Sequence, residues 1–347
     1  MTDEKRLRLR SLDITIGHFE PGPENAITDV AGVIVGHVTC MDGAQTRTGA
    51  TAILPHAGNL FQDKVPAGFA VLNGFGKFAG STQIVELGEI ETPIVLTNTL
   101  AVGRAIEAIN QYTLAQHGNE QVVSLNAVVG ETNDSVLNDI RAPRPKLDEI
   151  LSAISAAKSG AVDEGAVGAG TGTVAFGLKG GIGTSSRLVP IDKETYTVGV
   201  LVQSNYGGRL TVDGRAYEAE LQHDKDGSIV IVLATDAPLC SRNLQRLAER
   251  CFGGLARTGA ALSNGSGDYR LGIFDCRLRA SHPGTAEGDR GDCDTVERCR
   301  VTVVRGRHRN HGRSHHQFAD HGNDDQRFQC PDGQGLDRRG HLSSRSQ

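Results

Sequence analysis

Ser266 stands between two glycines in the run Thr258-Gly259-Ala260-Ala261-Leu262-Ser263-Asn264-Gly265-Ser266-Gly267-Asp268, and no large side chain flanks its hydroxyl. A serine hydroxyl becomes a nucleophile once a base takes its proton. Asn264, Gly265 and Gly267 are types that tolerate unusual backbone angles, so the loop could present Ser266 on a tight, strained connection. An ordinary turn would use the same Asn-Gly and Ser-Gly pairs. The strand-to-helix elbow of a Gly-x-Ser-x-Gly hydrolase is absent, because a helix precedes Ser266 and a strand-like run follows it. His37 is a base by type, but its apolar setting reads as a core or turn histidine. Another route to activation exists. If the Ser266 hydroxyl attacks the Gly265 carbonyl and cuts that bond, the freed α-amino group, with a pKa of about 8, lies beside the hydroxyl and can accept its proton.

The elements that would position this serine alternate strand and helix. Residues 12–16 and 30–38 read as paired strands on either side of the Pro21-Gly22-Pro23 turn, and residues 51–54, 68–72 and 94–96 as further strands. Thr99 could cap a helix running to about residue 116; residues 122–129 form a strand that ends at Gly130-Glu131. Residues 146–158 carry Leu147, Ile150, Leu151 and Ile154 at helical spacing. The glycines between residues 160 and 183 invite a nucleotide-binding reading, but no strand and helix with dinucleotide spacing flank them, so close backbone packing or a pocket wall is the better reading. Residues 195–203 and 229–234 are β-branched strands, and Asp213-Gly214 and Asp226-Gly227 read as hairpin turns. The last helix opens at Ser241 and buries Leu244, Leu247, Ala248, Cys251 and Leu255 on its way to the Ser266 loop.

The segment from Arg257 to Tyr269 resembles the self-processing N-terminal-serine aminopeptidases of the DmpA/BapA type, the β-peptidyl and D-/L-aminopeptidases. Four earlier blocks share the resemblance, in the family's order: Pro21-Gly22-Pro23-Glu24-Asn25-Ala26-Ile27-Thr28-Asp29-Val30; Val65-Pro66-Ala67-Gly68 with Asn73-Gly74-Phe75-Gly76-Lys77; Glu91-Thr92-Pro93-Ile94 with Thr97-Asn98-Thr99; and Gly130-Glu131-Thr132-Asn133-Asp134. It runs from about residue 10 to Tyr269 and stops there. The resemblance implies an α/β fold, a four-layer α-β-β-α sandwich shared with the ornithine acetyltransferases. It implies cleavage between Gly265 and Ser266 into an α chain of residues 1–265 and a β chain that begins at Ser266. Ser266 would then form an acyl-enzyme with the N-terminal residue of a small peptide, amide or ester. Asn205, in the context Gln-Ser-Asn-Tyr-Gly, matches the family's oxyanion-hole asparagine, though a turn-capping role suits it equally. Glu131 is the candidate anion for the substrate's ammonium, against a solvated strand-end glutamate. Asn133 and Asp134 would hold that loop or line the pocket. No metal and no cofactor are implied, and the family's habit of assembling processed α/β pairs implies a homo-oligomer.

Composition narrows the alternatives. A chain of 347 residues can bury a large core. Its first 269 residues hold about 30 acidic side chains against 8 Lys and 14 Arg, which gives no support to a nucleic-acid or membrane-surface role. No apolar run reaches the roughly 18 residues of a membrane span. Met1 to Arg10 lacks the apolar core of a signal peptide, and seven irregularly spaced cysteines suit a reducing, cytoplasmic setting.

From residue 270 onward the vocabulary changes: 14 Arg, 7 of the 12 His, 4 of the 7 Cys and no Lys. Cys293, Cys299, His308, His311, His315 and His316 suit zinc by type, but their spacing departs from the usual pattern and little apolar sequence surrounds them. The run 305–316 could equally be a basic arm for nucleic acid. A third explanation does better. Read one nucleotide later, the codons for residues 270–276 can encode VLAFSTA and those for 301–317 SPLFEAVIETTEEAIIN, both similar to the family's continuation. On that reading, residues 270–347 are an out-of-frame tail, Arg270 replaces a β-branched strand residue, and the chain folds poorly after Tyr269. A Ser-or-Thr-x-Glu pair that assists the family's nucleophile is missing, so cleavage at Gly265–Ser266 would be slow or absent. Two rivals stand beside the aminopeptidase: an ornithine acetyltransferase-like acyl transferase, against which the serine in place of threonine argues, and a non-enzymatic relic or binding protein with a Cys/His tail.

Overall fold

The computed structural model describes residues 14–217 and 227–274. Among these, fifteen strands and four α-helices follow one another along the chain. Strands β1 (Ile34–Asp42), β2 (Thr46–Leu54), β3 (Val65–Gly74) and β4 (Phe78–Ala79) precede helix α1 (Ser81–Leu87). β5 (Glu89–Ile90) and β6 (Ile94–Asn98) lead to α2 (Val102–Leu114), and β7 (Val128–Thr132) to α3 (Leu147–Ser155). The short hairpin β8 (Val174–Ala175) and β9 (Leu178–Lys179) precedes β10 (Gly181–Ile191) and β11 (Glu194–Asn205). A second small hairpin, β12 (Thr211–Val212) and β13 (Arg215–Ala216), precedes β14 (Ser228–Thr235), α4 (Ser241–Arg257) and β15 (Gly267–Phe274).

Two sheets dominate. One has the order β1-β2-β6-β7-β4, the other β10-β11-β14-β15-β3-β5. Parallel neighbours need a crossover, and each sheet has one such pair: α2 lies between β6 and β7 in sequence, α4 between β14 and β15. The sheets share a buried cluster in which Leu201, Val230, Val232, Leu271 and Ile273 of the six-stranded sheet meet Ile53, Leu96 and Val128 of the five-stranded one. Ile109 of α2 and Ile150 and Ile154 of α3 pack on Ala52, Val95 and Val129 of the five-stranded sheet. α4 buries Leu244 and Leu247 with Leu233 and Phe274 of the six-stranded sheet. It comes so close to β3 that a β-carbon on Gly68 would stand 2.1 Å from the Gln245 amide nitrogen. Only glycine fits there.

Several sequence expectations need adjustment. Of the segment 12–16, Ile14 to Ile16 is irregular, and β1 pairs with β2 instead. The helix expected from Thr99 is preceded by a 3-10 turn, Thr99–Ala101, capped by the Asn98 side chain, which accepts the Leu100 N–H at 3.1 Å. Thr99 is used elsewhere. The strand expected over 122–129 forms only as Val128–Thr132. Asp213 and Gly214 do make a hairpin turn, with φ of 48° and 77°; Asp226 lies outside the described residues. The glycine run packs backbone on backbone: a β-carbon at Gly170 would be 2.3 Å from the Ile182 nitrogen. The Cys/His tail and everything else after Phe274 lie outside the described residues. Among the described residues no helix is long and apolar enough to cross a membrane.

The expectation of poor folding directly after Tyr269 is corrected by β15, which continues to Phe274. Both its edges are occupied along that length: Thr235 of β14 pairs with Phe274, and Ala67 of β3 with Ile273. Leu271 and Ile273 drop into the shared core. Arg270 pays for this continuity. It is fully buried, none of its three guanidinium nitrogens has a hydrogen-bond partner, and the group lies 3.0 Å from the Phe252 ring centroid. Burial pulls its pKa down to about 10. A buried cation with no hydrogen-bond partner and only the charge of Asp268 near it costs several kcal/mol, and the ring face recovers only part of this. Arg270→Val should therefore stabilise the fold by about 3 kcal/mol, read as a thermal midpoint raised by several degrees. A midpoint unchanged or lowered would contradict this view of the strand.

Candidate functional site

The loop that carries Ser266 is stitched down before it turns. Past the end of α4, the carbonyl of Thr258 accepts the Thr211 N–H at 2.8 Å, that of Gly259 accepts the Arg209 N–H at 3.0 Å, and Ala261 N–H donates to Gly207 O at 3.0 Å. Left-handed backbone falls at Gly259 (φ 84°) and Leu262 (φ 51°), not at Asn264, Gly265 and Gly267 as the residue types suggested. Leu262 has a β-carbon and bears that conformation at a steric cost. The Asn73 side-chain amide donates to the Ser263 carbonyl, which also accepts the Ser266 N–H at 3.0 Å. Gly267 is favoured by contact rather than by φ: a β-carbon there would lie a tight 3.1 Å from both Phe75 O and the Tyr269 ring.

Ser266 is buried, and its Oγ donates to Asp268 Oδ1 at 2.6 Å. Asp268 is buried too, its Oδ2 has no partner, and burial raises its pKa, with the Ser266 hydrogen bond and Arg270 acting the other way. The sequence reading passed over Asp268, although residues two apart on a strand project to one face. His37 lies on β1 of the other sheet. Its Nδ1 is 2.9 Å from Thr51 Oγ1, its Nε2 is buried without a partner, and burial lowers its pKa to about 4. It is a histidine of the packing, in agreement with the sequence reading.

Gly265, Asn205 and Glu131, singled out separately from the sequence, line one cleft of about 390 Å³ together with Lys77, Thr99 and Asn133. Its volume suits a small molecule. Glu131, on β7, is buried; its Oε1 accepts the Lys77 N–H at 3.0 Å and its Oε2 accepts the Thr99 hydroxyl. These donors fix the carboxylate on the wall. Tyr269 stands close by, its hydroxyl pKa pushed up to about 12 by burial first and then by the charges of Glu131 and Asp268.

Asn205 ends β11, and its Oδ1 accepts the Val174 N–H at 3.0 Å, which leaves the amide NH2 as the end that can donate into the cleft. The loop that supplies Val174 is clamped by Lys179, whose ammonium donates to the carbonyls of Gly170, Thr173 and Gly180 at 2.7–2.8 Å. Asn133 Oδ1 accepts the Ser135 N–H at 3.0 Å while the residue lines the cleft. Asp134 accepts from the Asn138 amide at 3.0 Å, and burial raises its pKa. Among the described residues no group of three His, Cys, Asp or Glu side chains could hold a metal ion. The cleft therefore offers a fixed anion and an amide donor, and it is lined by Gly265, the residue before a buried serine whose hydroxyl hydrogen-bonds a carboxylate; Ser266 itself is not among the lining residues.

Residues 25–298 match Peptidase family S58. This match extends beyond Tyr269, where the residue blocks end. The beta-peptidyl aminopeptidase BapA of Sphingosinicella microcystinivorans is 40% identical over 315 residues, covering 82% of this chain and 78% of its own. Among solved structures, the PH0078 protein from Pyrococcus horikoshii OT3 is 48% identical with a TM-score of 0.73, covering 77% of this chain and 79% of its own. The L-aminopeptidase D-Ala-esterase/amidase from Ochrobactrum anthropi, described as a prototype of the serine aminopeptidases and a variant of the Ntn hydrolase fold, is 34% identical with a TM-score of 0.72, covering 78% of this chain and 80% of its own. With the match spanning most of its length and aminopeptidases among its relatives, the chain belongs to peptidase family S58, a family of hydrolases.

Proposed function

We propose that the protein is a self-processing serine aminopeptidase. Its nucleophile, Ser266, would become a chain terminus by cleavage of the Gly265–Ser266 bond. The observation that carries this reading is the convergence of Gly265, Asn205 and Glu131 on one cleft, with the buried Ser266 the next residue in the chain after Gly265. In turnover, Glu131 pairs with the ammonium of a small peptide, amide or ester, setting the first carbonyl against Ser266. The Ser266 α-amino group takes the hydroxyl proton as Oγ attacks that carbonyl. The Asn205 amide donates to the oxyanion, a kind of contact that strengthens as charge develops. The amine or alcohol leaves with the proton, and water releases the acyl group. The shared core between the sheets and the helices packed on each sheet support a four-layer α-β-β-α arrangement. We place the protein in the cytoplasm as a homo-oligomer of processed α/β pairs, on the strength of its family resemblance and its irregularly spaced cysteines.

The same proposal includes the tail. An Arg270 without hydrogen-bond partners inside a central strand is what a shifted reading frame would put there, and it supports the view that residues 270–347 are out of frame. The chain as written should show at most slow cleavage on a denaturing gel. A version read one nucleotide later from residue 270 should resolve into two chains. Complete processing of the unaltered chain would defeat that view of the tail.

Ser266→Ala should stay a single uncut chain and hydrolyse no amino-acid p-nitroanilide. Glu131→Gln should lower kcat/KM by roughly 10- to 100-fold, the worth of a charge-assisted hydrogen bond. The loss should vanish for substrates whose amino group is acylated, because these carry no ammonium. An equal loss on both substrate types would mean that Glu131 does not bind the ammonium.

A further inference from the structure

Before the Gly265–Ser266 bond is cut there is no α-amino group to act as base. The Ser266 nitrogen is then an amide, with its N–H donated to Ser263 O at 3.0 Å. The first cleavage needs a different proton acceptor, and we propose that Asp268 is that acceptor, a general base for processing; the assignment rests on reading Ser266 as the nucleophile. The Ser266 hydroxyl already donates to Asp268 Oδ1 at 2.6 Å, so the proton has a formed path. The second oxygen, Oδ2, is buried and unpartnered, whereas both oxygens of Glu131 accept hydrogen bonds. A carboxylate short of donors holds its charge poorly and takes up a proton more readily. The upward shift from burial agrees with that direction.

The steps balance without any co-reactant but water. The Oγ proton moves to Asp268 Oδ1 while Oγ attacks the Gly265 carbonyl carbon, closing a small ring through the backbone of Ser266. Asp268 then returns the proton to the Ser266 nitrogen as the C–N bond breaks, leaving an ester between Gly265 and the Ser266 side chain and a free amine. Water hydrolyses the ester, giving the Gly265 carboxylate and restoring the hydroxyl. From then on the α-amino group accepts the proton in turnover. Asp268 is thus needed first for processing.

The test uses the full chain and follows Gly265–Ser266 cleavage by intact mass, with and without hydroxylamine, which cuts esters but not ordinary peptide bonds. The unaltered chain should cleave slowly, and faster with hydroxylamine. Asp268→Asn keeps shape and hydrogen-bond acceptor but loses basicity, and should slow cleavage by about 100-fold or more without hydroxylamine rescue, the span of general-base effects. Its thermal midpoint should match the parent's, which separates chemistry from misfolding. If Asp268→Asn melts early, Asp268→Glu decides, since its carboxylate should recover at least a tenfold rate over the Asn variant. Cleavage of a folded Asp268→Asn chain at the parental rate would overturn the assignment. So would cleavage, in this chain or in a version read one nucleotide later from residue 270, that passes through no hydroxylamine-sensitive ester. Cleavage persisting in Ser266→Ala would instead sink the nucleophile itself.

Discussion

The pairing of β15 on both edges is the constraint on which the site depends. Its first residue is fastened by Gly267 N–H to Gly227 O at 3.1 Å and registers with Gly74 of β3 and Ser228 of β14. Ser266 therefore stands where a hydrogen-bonded loop meets a strand paired on both edges, with a register shift against β3 between Asp268 and Tyr269. The loop side supplies the Gly265–Ser266 peptide bond, and the strand side holds Asp268 in place. Without those pairings neither the hydroxyl nor its partner would have a defined position.

That strand buries two ionisable side chains with incomplete partners, and they call for opposite interpretations. Asp268 lacks one partner but touches the hydroxyl of Ser266, so its unsatisfied oxygen has a chemical use. Arg270 lacks hydrogen-bond partners and lies on the face of Phe252, near the charge of Asp268 and beside Cys251, whose thiol is pushed up to about 11 by burial. Nothing at the cleft employs that guanidinium. A buried polar group without a partner is normally removed by selection unless function retains it. The contrast between these neighbours fits the proposals that Asp268 serves processing and that Arg270 comes from a shifted frame.

Much of this was legible in the residues. Strand and helix existence followed from β-branched runs and helical spacing, as for residues 229–234 and for the Leu244, Leu247, Leu255 face of α4. Boundaries were less legible: Asn98 takes the cap while Thr99 is drawn to Glu131 on another strand, a contact that local sequence cannot express. The left-handed residue of the Ser266 loop was misplaced for a similar reason. Leu262 is held there by tertiary stitching to residues 207–211, against its own preference. That Glu131, Asn205 and Gly265 share a cleft was accessible only through family resemblance, since their separation in the chain carries no spacing signal. Asp268 was legible and missed, as the strand period alone puts it on the side of Ser266.

The central claim is that the reactive hydroxyl belongs to a residue that has become an amino terminus. It is tested most directly by chain-end sequencing of the fractions that hydrolyse an amino-acid p-nitroanilide. Activity should rise and fall with a fragment beginning Ser-Gly-Asp-Tyr, in step with the loss of the unbroken chain. Hydrolysis residing in a chain still continuous through Gly265 and Ser266 would contradict it.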